Sequence, residues 1–84
     1  MIRLSPRLCR AARALAGLDQ QKLSETSGVS KSTIGAFEIR KQRARLATMN
    51  NRALVQTFEQ AGVRFVEENG GGPGVRLQRP SRDD

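Results

Sequence analysis

The first part of the chain has apolar residues at helical spacing before a glycine. Ser5-Pro6 is typical of a helix start, because serine caps the first turn and proline fits the first helical position. The spacing predicts a helix that ends at Gly17, since glycine readily adopts the left-handed conformation that terminates helices. Its expected inner face consists of Leu8, Ala11, Ala12 and Leu15, with Cys9 as a small, half-buried apolar residue.

Two short helices separated by a tight turn are predicted next. Asp19 is placed to cap the segment QQKLSETS, and Gly28 ends that helix. Ser30 is placed to cap the following segment, KSTIGAFE. Two helices joined by a turn of this kind form a helix-turn-helix. The residues expected to be buried between them are Leu23, Val29, Ile34 and Phe37.

A longer helix and two short strands are predicted for the second half. The helix spans residues 47–61, and its expected inner face consists of Met49, Ala53, Leu54, Phe58 and Ala61. Residues 63–67 are rich in β-branched and aromatic side chains, and residues 75–78 alternate between apolar and polar, as strands do. The glycine-rich residues 68–74 between them predict a turn.

The whole pattern predicts a mainly α protein with four helices and a C-terminal two-stranded β-hairpin. A chain of 84 residues is too short for two independent cores, so we expect one helical domain in residues 1–62. The hairpin occupies residues 63–79, and residues 80–84 form a polar tail that we expect to be disordered. Because two isolated strands are marginally stable, the hairpin either pairs with a second copy, which gives a homodimer, or folds onto its own domain.

The positive charge of the chain is confined to its first half. Residues 1–45 contain ten Lys or Arg and three Asp or Glu, whereas residues 46–84 contain five of each, so the net charge of +7 belongs to the first part. Four of these bases, Arg40, Lys41, Arg43 and Arg45, directly follow the third predicted helix. The asymmetry favours a surface that binds a polyanion, although a solvated basic surface would have the same composition.

The composition disfavours catalysis and metal binding. Histidine is absent and Cys9 is the only cysteine, so a zinc site or a Cys/His catalytic pair cannot be built. Glu67 and Glu68 are neighbours on a predicted strand and would point to opposite faces, which excludes an acid/base pair. We expect no enzymatic activity, metal or cofactor. No apolar run approaches the ~20 residues of a membrane span, and we expect a cytoplasmic protein.

The segment LDQQKLSETSGVSKSTIGAFE resembles the Xre/lambda-repressor-like (Cro/C1-type) helix-turn-helix family. It shares a glutamine that opens the second helix (Gln20), a glycine at the turn (Gly28) and a capped third helix that ends in glutamate (Glu38). The similarity extends over about residues 5–62, and GVRFVEENGGGPGVRL resembles the C-terminal extension of a small bacterial subgroup. The resemblance implies a lambda-repressor-like fold and a transcriptional regulator, expected to be a repressor that binds a palindromic operator in double-stranded DNA as a homodimer.

The resemblance also implies roles for individual residues. The third helix would enter the major groove, where Lys31, Ser32 and Ala36 would contact base edges. An ion pair between Arg13 and Glu38 would hold helices one and three together. The residues implied to contact the DNA backbone are Gln20, Ser30, Thr33, Arg40, Lys41, Arg43 and Arg45.

Some positions depart from the family pattern. Arg40 occupies the place where a glycine usually ends the third helix, while Gly35 inside that helix would allow a close approach to DNA. The third helix contains one lysine and two hydroxyls but no Arg, Asn or Gln, which favours readout of DNA shape. A second interpretation therefore stays open, namely a protein-interaction module of antitoxin or antiactivator type whose basic face docks on an acidic partner. The sequence also leaves open whether Cys9 has a redox role.

Overall fold

The computed structural model describes residues 1–67 and 72–78. Residues 68–71, which belong to the predicted turn, and residues 79–84, which include the predicted tail, lie outside the described residues. The elements in the described part are α1 (Pro6–Ala16), α2 (Gln20–Ser27), α3 (Lys31–Glu38), α4 (Thr48–Gln60), β1 (Val63–Val66) and β2 (Gly74–Leu77). The predicted mainly α architecture with a C-terminal hairpin is thereby confirmed.

The first three helices begin with the predicted caps, and the first two end at the predicted glycines. Ser5, Asp19 and Ser30 each accept a hydrogen bond from a backbone N–H in the first turn of their helix. Gly17 and Gly28 close α1 and α2 with φ angles of 72° and 83°, which residues with a side chain rarely adopt. The fourth helix is flanked by Ala47 and Ala61, both predicted to be helical, and has no side-chain cap at its start.

The core lies where α1, α2, α3 and α4 converge. The inner faces predicted for α1 and α4 were partly wrong. In α1 the predicted Leu8 and Ala12 are buried, together with Cys9 and Pro6, whereas Ala11 and Leu15 are exposed. Cys9 is fully buried rather than half-buried.

The inner face of α4 also differs from the predicted one at its ends. Met49 is 83% exposed, because it lies half a turn away from the buried Phe58 at ~100° per residue. Ala61 is exposed as the residue that follows the helix. The buried face of α4 consists of Asn51, Leu54, Val55, Thr57 and Phe58.

Two irregular segments complete the core. Leu4, before α1, is fully buried, and Leu46, after the basic loop, is 8% exposed. The backbone N–H of Leu4 donates to Asn51 Oδ1 at 2.9 Å, and Asn51 Nδ2 donates to the carbonyl oxygen of Ile2 at 2.8 Å. The Asn51 side chain therefore holds the N-terminal segment against α4 through two hydrogen bonds to its backbone.

The hairpin packs onto its own helical domain. Val63 lies opposite Leu77, and Phe65 lies opposite Val75, in antiparallel register. Val63 is buried, and the Phe65 ring meets the Phe58 ring of α4 edge to face, with centroids 6.1 Å apart. The strands are one residue offset from the predicted spans at three of their four ends, since β1 ends at Val66 and β2 spans Gly74–Leu77.

We expect Asn51→Ala to lower the free energy of unfolding by about 1–3 kcal/mol, because the buried N–H of Leu4 loses its acceptor. Urea unfolding followed by circular dichroism would measure the change. Asn50→Ala is the matched control, since Asn50 precedes it in α4 and the same gain in helix propensity applies. Equal stability of the two variants would contradict the role assigned to Asn51.

Candidate nucleic-acid interface

The carboxylate of Glu38 joins the first three helices at the end of α3. Arg13 of α1 donates two hydrogen bonds to this carboxylate, from Nε to Oε2 at 2.9 Å and from Nη2 to Oε1 at 2.8 Å. Gln20, the first residue of α2, donates Nε2–H to Oε1 at 3.0 Å. Glu38 is only 2% exposed, so these donors replace its lost hydration. The orientation of α3 relative to α1 and α2 follows from this arrangement.

The pKa values of Glu38 and Arg13 are shifted in the directions expected for a hydrogen-bonded ion pair. Burial disfavours the charged form of Glu38, but hydrogen bonds from Arg13, Gln20 and Cys9 outweigh it and lower the pKa of Glu38. The hydrogen bond to Glu38 in turn raises the pKa of Arg13. The pair is therefore ionised at neutral pH.

The thiol of Cys9 is part of the same cluster. Its Sγ donates to Glu38 Oε2 at 3.2 Å. Burial, followed by this hydrogen bond and the nearby carboxylate, raises the pKa of Cys9, and the arginines Arg13 and Arg10 reduce the shift without reversing it. The thiol is thus protonated and buried, whereas reactive cysteines are exposed thiolates. This structure provides a packing and hydrogen-bonding role for Cys9.

The C-terminus of α3 is completed by an arginine rather than by a glycine. Arg10 Nη1 donates to the backbone carbonyl of Glu38, which is one of the last carbonyls of the helix. Its positive charge also lies at the negative end of the helix dipole. Ile39 follows the helix with φ −100° and ψ 4°, outside the left-handed region.

The predicted base-contacting residues lie together on the outer side of α3. Lys31, Ser32 and Ala36 are exposed. Ser30 and Thr33 are engaged locally, since Ser30 Oγ accepts from the Thr33 backbone N–H at 3.1 Å and donates to Thr33 Oγ1 at 2.7 Å. The hydroxyls of these two residues therefore stabilise the start of α3.

Gly35 has an internal role in the packing of α2 against α3. A Cβ atom at this position would lie 3.3 Å from Gln20 Oε1, which is tighter than an ordinary contact. The absence of a side chain leaves room for the Gln20 amide to reach Glu38. This reason differs from the close approach to DNA that the sequence suggested, and the two are compatible. The Gln20 amide group, predicted to contact a phosphate, donates one hydrogen bond within the domain.

The basic loop between α3 and α4 is held in place by Gln42, a residue that sequence reasoning missed. Gln42 Nε2 donates to Ser5 Oγ at 2.9 Å, and its Oε1 accepts from the Arg7 backbone N–H at 3.3 Å. Arg45 Nη1 donates to the carbonyl oxygens of Gln42 and Ala44. Glutamine in a loop is too common to be noticed in a sequence. Its partners become visible only once the loop is folded onto α1.

The same contact brings arginines of α1 beside the loop. Arg7 and Arg10 line an open groove of about 700 Å³ together with Arg40 and Lys41. Neither Arg7 nor Arg10 was among the individual residues predicted to contact DNA, although their spacing of three residues places them near each other on one side of a helix. Arg43 lies further along the loop and is exposed. The predicted bases of the loop thus belong to a larger positive surface.

Positive charge consequently flanks both ends of α3. Lys31 lies at its N-terminus, and Arg40 and Lys41 follow its C-terminus. Eight residues span ~12 Å in a helix, so the bases bracket a short neutral stretch. An exposed helix with this distribution of charge can approach a polyanion along its whole length.

The fold and this surface agree with the comparison to protein families. Residues 10–50, which cover α2, α3 and most of α1, match the family model HTH_3, described as helix-turn-helix. The match supports the resemblance of this segment to the Xre/Cro-C1-type helix-turn-helix family, a family of DNA-binding regulators. A comparison with curated proteins gave no match.

Two further observations concern other kinds of site. Among residues 1–67 and 72–78, no three Cys, Asp or Glu side chains are grouped as a metal site would require. In the same part of the chain, no helix has the length and apolar character needed to cross a membrane.

The stability of the protein should depend on the ionisation of Glu38. Because its pKa is lower in the folded chain, ionised Glu38 stabilises the fold above the unfolded value of about 4.3, and this contribution is lost as the pH falls through the folded value. Glu38→Gln should therefore be strongly destabilised at pH ~7, with a deficit relative to wild type that shrinks towards pH ~3. Urea unfolding at both pH values measures this deficit.

Glu59→Gln is the control for this experiment, since Glu59 is an exposed carboxylate on α4. Its free energy of unfolding should stay close to that of wild type at both pH values. A deficit of Glu38→Gln that is the same at both pH values would contradict the role assigned to the Glu38 charge.

Proposed function

We propose that the protein is a sequence-specific transcriptional repressor that binds a palindromic operator as a homodimer, with α3 in the major groove. The observation that carries this proposal is the exposed α3, flanked by bases at both ends and fixed in orientation through Glu38. Repression would be steric, because a bound dimer occupies promoter DNA. Such a regulator acts in the cytoplasm and needs neither cofactor nor metal.

Base readout would come from the outer side of α3. Lys31 would donate to guanine O6 or N7, and Ser32 could donate to a base acceptor or accept from a base donor. Ala36, one turn further along, would meet a thymine methyl group. Since this set is small, part of the selectivity would come from DNA shape, with Arg43 or Arg45 near a narrow minor groove.

Phosphate binding would come from the positive surface on both sides of α3. Arg40, Lys41, Arg43 and Arg45 of the loop supply charges on one side, and Arg7 of α1 lies beside them. The start of α2 would add Gln20, and the start of α3 would add Ser30 and Thr33, where backbone N–H groups favour anions. Gln42 holds the basic loop against the start of α1. This supports phosphate binding by the loop, because a loop that is already ordered loses less conformational entropy when it binds DNA.

Dimerisation would occur through an edge of the hairpin in residues 63–79. The inner face of the sheet is already used, since Phe65 and Val75 pack on the helical core. On the outer face Arg64 lies directly opposite Arg76, so face-to-face stacking of two hairpins would bring like charges together. Pairing along a strand edge avoids this and would form a four-stranded sheet. Two copies of α3 would then be separated by about one turn of DNA, ~34–36 Å.

Selection from random duplex DNA at about 150 mM salt, with sequencing of the bound pool, tests this function. We expect a palindrome whose half-sites are ~10 bp apart. Lys31→Ala should cost about 1–3 kcal/mol at one base position of each half-site and relax the preference there. Lys22→Ala, which removes an exposed charge from α2, is the control and should leave every base preference unchanged.

The alternative function, a protein-interaction module, predicts a different result in the same experiment. The observation that favours the protein-interaction module is that α3 carries few side chains able to contact base edges. In that case no sequence would be enriched, and binding to DNA would vanish as the salt concentration rises, since only phosphate attraction would remain. This outcome would overturn the proposal of a sequence-specific repressor.

The oligomeric state provides a separate test. Light scattering should give a molecular mass of two chains, about twice 9.2 kDa, at concentrations where the protein binds its operator. A mass of one chain at high concentration would exclude the proposed dimer.

A further inference from the structure

Ile39 is the most exposed large hydrophobic residue in the described part of the chain. Its side chain is 87% accessible to solvent, compared with 83% for Met49 and 66% for Met1. It follows α3 directly, after the almost completely buried Glu38. An isoleucine with so little packing contributes little to the stability of its own domain.

The surroundings of Ile39 are positively charged. It shares one groove with Arg10, Arg40 and Lys41, and a second one with Arg43. Bases arranged around an apolar side chain favour a polyanion that also presents an apolar group. In the major groove of DNA the apolar group offered by base pairs is the C5-methyl of thymine.

The position of Ile39 along α3 fits this partner. Ser32, Ala36 and Ile39 are separated by four and three residues, so they share one side of the helix. Ile39 is the first residue after α3, with φ −100° and ψ 4°, and it continues this stripe beyond Glu38. The stripe from Ser32 to Ile39 is ~11 Å long, close to the ~12 Å width of the major groove. Both of its ends can therefore lie in the groove at once.

We propose that Ile39 is a specificity-determining residue that contacts the C5-methyl group of one thymine in each half-site. The inference rests on the proposed function and adds to it a base position that Lys31, Ser32 and Ala36 do not read. Arg40 and Lys41, on neighbouring phosphates, would hold the methyl group against the isoleucine. If a protein partner covered Ile39 instead, the deoxyuridine profile of Ile39→Ala would equal that of wild type.

Substitution of thymine by deoxyuridine tests the contact, since it removes only the methyl group. The probes are duplexes of the sequence enriched from random DNA, with symmetric pairs of thymines replaced in turn. Besides the pair contacted by Ala36, we expect one further pair at which the substitution weakens wild-type binding by about fourfold per half-site, the effect of one methyl group buried. Ile39→Ala should weaken binding to the thymine duplex by a similar factor and abolish the difference between the two duplexes.

Met49→Ala is the matched control, because Met49 is almost as exposed but lies on α4. It should keep the wild-type response to deoxyuridine at every position. The melting temperature of Ile39→Ala should equal that of wild type, so that a loss of binding cannot be attributed to unfolding.

Three results would overturn the proposal. The first is an Ile39→Ala profile that equals the wild-type profile at every thymine, and the second is a wild-type protein that does not respond to deoxyuridine. The third is a loss of affinity in Ile39→Ala that is uniform across all duplexes, which would assign the side chain to another contact. In each of them an enriched operator would still support the proposed repressor. A failure to enrich any sequence would instead remove the proposed function and the thymine contact together.

Discussion

The buried carboxylate of Glu38 is the point on which the arrangement of the first three helices depends. It accepts hydrogen bonds from Arg13 of α1, Gln20 of α2 and the thiol of Cys9, while its own backbone carbonyl accepts from Arg10. A carboxylate with 2% exposure is tolerated because its donors replace water. Loss of any donor would leave a buried charge under-solvated, which is destabilising.

The same cluster determines what the outer surface presents. With Glu38 held inside, α3 turns Ser32 and Ala36 outward, and the chain continues into Ile39 and the basic loop. Arg10 lines the groove beside that loop and also completes the end of α3. The internal polar cluster and the external positive surface therefore share residues, so changes in one are expected to alter the other.

The loop and the hairpin show how a small domain uses side chains to order irregular segments. Ser5 caps α1 and also accepts from Gln42, so the start of a helix serves as the anchor of the basic loop. Asn51 performs the corresponding task for the N-terminal segment. The hairpin is ordered by Phe65, whose ring contacts Phe58. Among the described residues, no buried side-chain nitrogen or oxygen lacks a hydrogen-bond partner, which is the condition for order in such segments.

The sequence by itself determined the features that depend on local chemistry. Helix caps and left-handed glycines act within a few residues, so Ser5, Asp19, Ser30, Gly17 and Gly28 could be assigned without a structure. The turn between α2 and α3, the strands and the position of the positive charges follow for the same reason. The pairing of Arg13 with Glu38 came from the resemblance to a family, not from spacing.

The tertiary structure decided what depends on residues far apart in the chain. Helical periodicity could not choose between neighbouring faces, so Met49 and Leu15 were predicted to be buried although the partners of α4 and α1 lie elsewhere. The roles of Gln42 and Asn51 depend on segments 37 and 47 residues away, respectively. The exposure of Ile39 likewise depends on the burial of the neighbouring Glu38, which is bound by residues of α1 and α2. Packing selects these features, because only the assembled core determines which side of each element is covered.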